Sequence, residues 1–257
     1  MSLGASLAII RHEFRVMFTD PSTLIFLLIM PLLMVALMRQ LFAGALAAEG
    51  FPGANGSEFA IPGMAVGFAA FGVSYAGFTF FRDHGWGTWD RLRAAPVTSV
   101  DLIAGKVVPT VSVTVAQLAL LFVLGGPLFD FRVSGSIVAI GLIIVVLALS
   151  LSAFGMAVIA ISRTMQQLNA IGSVGAFGMA MLGGAWVPVA SMPGWAQAIA
   201  PTMRTYWAMK AFRSVILQGG GIGDILVPLV VMAGFGVAFT VMAAARFRLE
   251  DAKAYYG

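Results

Sequence analysis

The sequence predicts an all-α membrane protein. It holds six transmembrane helices, an N-terminal interfacial helix, a short cytoplasmic helix after the second span, and short outer helices before the sixth span. Three observations predict this. First, the chain is 60% hydrophobic and 10% charged, with a mean hydropathy of +0.96, whereas soluble domains are about 25% charged. Second, the charges divide the chain into charge-free runs at 21–38, 59–81, 107–129, 133–162, 164–203 and 225–245. Each holds one helix, which needs about 20 apolar residues to cross hydrocarbon. Third, these runs are long and do not alternate. Lipid forces backbone groups to pair internally, and such runs suit helices better than barrel strands. The spans fall at about 21–42, 59–81, 103–126, 136–161, 166–187 and 224–245, in a single membrane domain over 1–257.

The distribution of bases orients the spans. Arg11 and Arg15 precede the first; Arg82, Arg91, Arg93 and Lys106 follow the second. Arg163 follows the fourth, and Arg246, Arg248 and Lys253 end the chain. These are alternate sides of a six-span count, so both termini are expected in the cytoplasm. The opposite loops are poorer: 43–58 has two acids and no base, and 127–134 has only Arg132. Arg39 ends the first span and can snorkel. Arg204, Lys210 and Arg213 lie on the outer side and run against the trend. The net charge of +4 is thus explained by topology rather than by nucleic acid.

In chain order, Leu3, Leu7, Ile10, Phe14 and Met17 recur on one helical face, with Arg11, His12, Glu13 and Arg15 mostly off it. Such a helix lies in the interface as an anchor or as a partner contact. Asp20 suits an N-cap and Pro21 a first helical position. The triplets 43–45 and 45–47 imitate signal-peptide cleavage sites, but the preceding apolar run exceeds an h-region, so the first span is read as retained. Pro31 is expected to kink that span. Gly63 with Gly67, and Gly172 with Gly175 and Gly178, allow close approach of packed neighbours. Gln117 and Asn169 are expected to bond between helices.

Several chemistries are excluded by what the chain lacks. There is no Cys, hence no disulfide and no Cys-ligated metal. All eleven acids fall outside the charge-free runs, so no carboxylate stands at mid-depth to relay protons or hold a cation. Gly105-Lys106 is followed by Val107 and position 100 is Val, so no phosphate-binding loop is formed there. No catalytic constellation, cofactor site or metal site is visible, and any power for transport must come from another polypeptide.

The stretch 81–106 reads FRDHGWGTWDRLRAAPVTSVDLIAGK. Thr88 can cap a short helix whose first turn holds Asp90; Arg91 and Arg93 follow, and Pro96 stops it. Two turns are too short to stand alone. Trp86, Trp89 and Leu92 recur every three residues and suit either the headgroup layer or a cleft in a soluble partner. Ser99 can cap the next helix, with Asp101 in its first turn.

The same stretch resembles the cytoplasmic segment of type-2 ATP-binding-cassette permeases, in Gly87, Thr88, Leu92, Pro96, Val97, Gly105 and Lys106. A second block, GGAWVPVASMPGWAQAIAPTMRTYWAMKAFR, is similar to the family's stretch before the last span. Gly184, Pro188, Met192, Pro193, Trp195, Pro201, Tyr206 and Arg213 carry that similarity. DPSTLIFLLIMPLLM resembles the family's first span. The resemblance implies that 83–98 holds a coupling helix. Its contacts to the ATPase would be Trp86, Thr88, Trp89, Asp90, Arg91, Leu92 and Arg93, joined by Arg11 and Arg15 of the N-terminal helix. It implies that 190–220, with Pro193, Trp195, Pro201, Tyr206 and Arg213, re-enters the membrane from outside. Tyr206, Met209, Phe212 and Ile216 form an apolar stripe there, ended by Gly219-Gly220-Gly221. It further implies a bacterial inner-membrane exporter subunit that is not itself an enzyme, binds no cofactor, and pairs with a second permease copy. ATP and Mg would bind a separate ATPase chain. Met and Phe abundance favours an amphipathic drug, lipid or natural product as cargo. A passive six-span channel or facilitator is the alternative.

Overall fold

A computed structural model of the protein describes residues 3–19, 22–85 and 98–246. Among the described residues the fold is entirely helical. The helices are α1 (Leu3–Thr19), α2 (Ser22–Ala48), α3 (Ser57–Gly85), α4 (Ser99–Phe129), α5 (Ile137–Ile161), α6 (Met165–Leu182), α7 (Gly194–Ile199), α8 (Arg204–Gln218) and α9 (Leu226–Arg246). Single 3-10 turns stand at Val189–Ser191, Ala200–Thr202 and Gly223–Ile225.

Among the described residues, four helical stretches are long and apolar enough to cross a membrane: Ile25–Ala48, Asp101–Phe129, Ile137–Ile161 and Gly223–Arg246. They share a surface that water would penalise. Along α2, Ile25, Ile29, Leu33, Leu37 and Leu41 are all exposed. Their spacing of four advances about 40° a step, so the row winds slowly around one side of the helix, and α9 has exposed valines at Val230, Val237 and Val241. Rows of exposed branched residues on long helices are what hydrocarbon solvates. The sixfold count predicted from charge-free runs also needs α3 and α6. α3 is long enough at 29 residues. α6 has 18 and opens on Gln166, Gln167 and Asn169, which dilute its apolar length.

α3 is the central helix. It packs on α2, α4, α5, α6 and α8, and every residue from Ser57 to Gly67 is buried. A segment enclosed on all sides has no polar face to show, and Phe59, Ile61, Met64 and Val66 fit that. Its start is set by a polar knot. The Asn55 side-chain amide donates to the carbonyls of Phe129 and Asp130, both at 3.1 Å, while the Asn55 N–H donates to Glu58. The beginning of α3 and the end of α4 are thereby tied together.

The predicted glycine pairs resolve into particular contacts. Gly63 lies against the Ala185 backbone and Gly67 beneath the Trp186 indole. They therefore receive the turn after α6 rather than another helix. A Cβ on Gly63 would run into the Ala185 carbonyl, and backbone cannot step aside as a flexible side chain can. Gly63→Ala should lower the stability of the detergent-solubilised protein by about 1–3 kcal/mol, measured by thermal unfolding. Gly141→Ala, where nothing lies within 4 Å, is the neutral control. On α6, Gly175 abuts Phe154, whereas Gly178 faces open space.

Other expectations need correction. Gln117 is buried with its Nε2 unpartnered, and Asn169 is exposed, so neither makes the interhelical bond anticipated for it. Thr98, not Ser99, caps α4. α2 continues as one helix through Pro31 and past Arg39, whose guanidinium lies 5.9 Å from the Phe129 ring centre. Residues 20 and 21 lie outside the described residues.

Candidate functional site

The residues expected to meet a soluble partner divide in two. Trp86, Thr88, Trp89, Asp90, Arg91, Leu92 and Arg93 lie outside the described residues. Arg11 and Arg15 are both exposed, one turn apart on α1. The apolar stripe predicted for α1 is split: Leu7 is 66% exposed, but Met17 is buried.

The structure adds a polar hub where α1 crosses the beginning of α4. Three donors converge on the Asp101 carboxylate. The Thr98 hydroxyl donates at 2.6 Å and the Thr98 N–H at 3.0 Å; Ser6 Oγ of α1 donates at 2.6 Å. Thr98 and Asp101 form a reciprocal capping box, since the Asp101 N–H donates back to Thr98 Oγ1. One turn further on, Lys106 donates to Glu13 at 2.8 Å, with both side chains almost wholly buried. The Lys106 ammonium also lies 5.2 Å from the Phe80 ring centre. Between these two contacts Gly105 faces Ile9 so closely that a Cβ would overlap its branched side chain.

Thr98 is thus bonded to the carboxylate that also holds α1, and short charge-assisted bonds join the start of α4 to α1. The sequence marked Gly105 and Lys106 as motif residues but gave no sign of their partners.

At the opposite end two of the discordant bases have partners, and the third is buried. Arg213 pairs with Glu49 and lies 5.4 Å from the Phe51 ring centre. Lys210 lies 5.2 Å from the Trp207 ring centre. Arg204 is buried. The expected stripe of α8 holds for Met209, Phe212 and Ile216, which are buried, with Tyr206 half-buried. Gly219, at φ 70°, closes the helix, a conformation that glycine adopts without strain. Pro193 is the N-cap of α7, Pro201 lies in the following 3-10 turn, and Trp195 is 64% exposed.

Two cavities flank this region. One, of about 520 Å³, is lined by Glu49, Glu58, Lys210, Arg213 and Asp224 among others, and so carries both signs of charge. The other, of about 540 Å³, is bounded by Met34, Met38, Met64, Phe68 and Trp186. Trp186 stacks on Phe71 and meets Phe177 edge-on, and its buried Nε1 has no acceptor. The second cavity therefore presents flexible thioethers and aromatic faces. That combination receives flat or branched apolar molecules. Nothing in the sequence signalled Trp186.

The profile of the ABC-2 type transporter family matches residues 5–217. The chain is 26% identical over 253 residues to the daunorubicin resistance ABC transporter permease of Streptomyces coeruleorubidus, covering 95% of this chain and 87% of that one. It is 27% identical over 140 residues to the linearmycin resistance permease of Bacillus subtilis, over 54% of this chain and 36% of that one. To an inner membrane transport permease of Shigella flexneri it is 26% identical over 178 residues, 68% of this chain and 47% of the relative. The chain thus spans less than half of the latter two proteins.

Proposed function

The chain belongs to the ABC-2 type transporter family, and from that premise we propose that it is the membrane-spanning permease subunit of an ATP-binding-cassette exporter. It moves an amphipathic drug, lipid or natural product outward. The chain itself hydrolyses nothing; ATP and Mg bind a separate ATPase subunit docked on its cytoplasmic face. In this reading α2, α3, α4, α5, α6 and α9 are six spans of the cell membrane, with α1 in the inner interface and both termini cytoplasmic. Residues 83–98 carry the coupling helix, and α7 and α8 belong to the re-entrant outer segment 190–220. A second copy completes the path.

The observation that carries this reading is the family match over most of the chain. Resistance to daunorubicin and to linearmycin in the names of two relatives supports an amphipathic cargo. The Met- and aromatic-lined cavity supports it independently. The polar hub supplies the mechanism. An ATPase pair that closes on ATP would contact residues 86–93 differently in its two states, and only such differential contact shifts the permease. Asp101 would pass the displacement to α1 and α4 together.

The test is reconstitution. Purified in mild detergent, the chain should bring with it a soluble ATPase. Together in inside-out vesicles they should accumulate a fluorescent amphipath only when ATP is hydrolysed. Equal flux through vesicles of this chain alone, with no nucleotide, would identify a passive facilitator instead.

A further inference from the structure

Glu58 stands in the first turn of α3 and is 8% exposed. Its Oε2 accepts the Asn55 N–H at 3.1 Å. Oε1 receives no donor, yet it is not sealed in as the Ser57 hydroxyl beside it is. Among the described residues no base pairs with this carboxylate. The start of a helix favours an acid, which accounts for its presence there. It does not account for a carboxylate largely withdrawn from water with one oxygen unspent, which costs free energy unless a cation or donor meets it.

Glu58 lines the cavity of about 520 Å³ between the start of α3, the turn at 183–190, α8 and the start of α9. The walls hold three acids, Glu49, Glu58 and Asp224, against two bases, Lys210 and Arg213. Most of these charges are already engaged. Arg213 pairs with Glu49. Asp224 is exposed and accepts the Gly221 N–H at 2.7 Å. Lys210 is exposed, with its ammonium against the Trp207 ring. Glu58 is therefore the buried charge of this cavity that lacks a counter-ion, and the excess of acids favours a cationic occupant. Among the described residues no three acids or histidines converge as a metal ion requires. Pro62, Met209, Leu217 and the half-buried Tyr206 add apolar wall, which a bare cation would leave unfilled. The volume is that of a site for a drug-sized molecule.

We propose that Glu58 anchors a binding site for an amphipathic amine, whose ammonium pairs with Oε1 and whose apolar body fills this cavity. An ammonium supplies both the missing charge and the missing donor in one charge-assisted bond. The proposal rests on the transport reading and deepens it by naming the cationic class of amphipath. It also places a cargo site at the end of the bundle that the exporter reading sets outside, where cargo leaves.

The test is equilibrium binding of tritiated 3-(1-naphthyl)propylamine to the full chain in an uncharged maltoside detergent, read by scintillation proximity. The N-acetyl derivative of the same amine serves as the neutral counterpart. The expected result is one saturable site per chain that prefers the amine by about tenfold or more. Glu58→Gln should erase that preference; its amide oxygen can still accept the Asn55 N–H, so the start of α3 keeps its tie. Lys210→Gln removes a like charge from the cavity wall. It should raise the affinity for the amine about twofold or more and leave that for the amide unchanged. Equal binding of amine and amide by the wild type overturns the proposal, as does an undiminished preference in Glu58→Gln. Should Glu58→Gln not fold, an amine affinity in Lys210→Gln no higher than that of the wild type overturns it. Ethanolamine or sodium displacing the probe as effectively as the unlabelled probe does would assign the site to a small cation and overturn the amphipath. No nucleotide, ATPase or transport enters the assay, so its failure leaves the exporter reading standing.

Discussion

Replacing Trp89 and Leu92 together with alanine should abolish ATP-driven accumulation of the cargo while leaving the amount of permease in the membrane unchanged. The expectation rests on the proposed coupling helix, which at two turns cannot be stable without a surface to lie on. Its two largest apolar side chains are the ones that would hold it to that surface. Buried aromatic and apolar anchors carry most of the free energy at protein interfaces, and losing two of them commonly costs about 2 kcal/mol or more each. A lever that slips stops transmitting, so ATP hydrolysis by the partner should persist and transport should not. The measurement is a paired one, nucleotide turnover and cargo accumulation on the same vesicles. Full transport by a correctly inserted double variant would remove these residues from the coupling role.

Glu13→Gln should destabilise the protein by about 1.5–3 kcal/mol, because it replaces a charge-assisted hydrogen bond to a buried ammonium with a neutral one. Both side chains are almost fully withdrawn from solvent. The effect is read as a drop in unfolding temperature in detergent. Glu13→Gln combined with Lys106→Met should recover much of the loss, since it removes the charge along with its partner. If Glu13→Gln unfolds at the wild-type temperature, the pair is not what holds α1 to α4. If the double variant is stable yet transports poorly, the pair serves the coupling of α1 rather than the fold.

Which parts were legible in advance follows from the range of the physics involved. The long helices could be read from composition and the spacing of charges, because the free energy of placing apolar side chains in hydrocarbon is a sum over local residues. The stripe of α8 and its glycine terminator were legible for the same reason. The cap of α4 was read one residue late: Ser99 and Thr98 both carry hydroxyls, and only the backbone direction at the helix start chooses between them. The segment 86–93, where the sequence placed the most chemistry, lies outside the described residues, so its role remains carried by pattern and by family.

What the sequence by itself determined is the all-helical membrane class, the separation of charge from apolar length, and the kinship visible in Gly105, Lys106 and the Pro193–Arg213 block. Only the tertiary structure decided that Glu13 meets Lys106, that Gly63 and Gly67 receive the turn at Ala185 and Trp186, and that Arg204 is driven among phenylalanines with no counter-ion among the described residues. The reason is geometric. Hydropathy and helix periodicity act over one or two turns, whereas these contacts join residues scores of positions apart. Where two helices cross, and at what rotation, is set by the whole set of packed side chains at once.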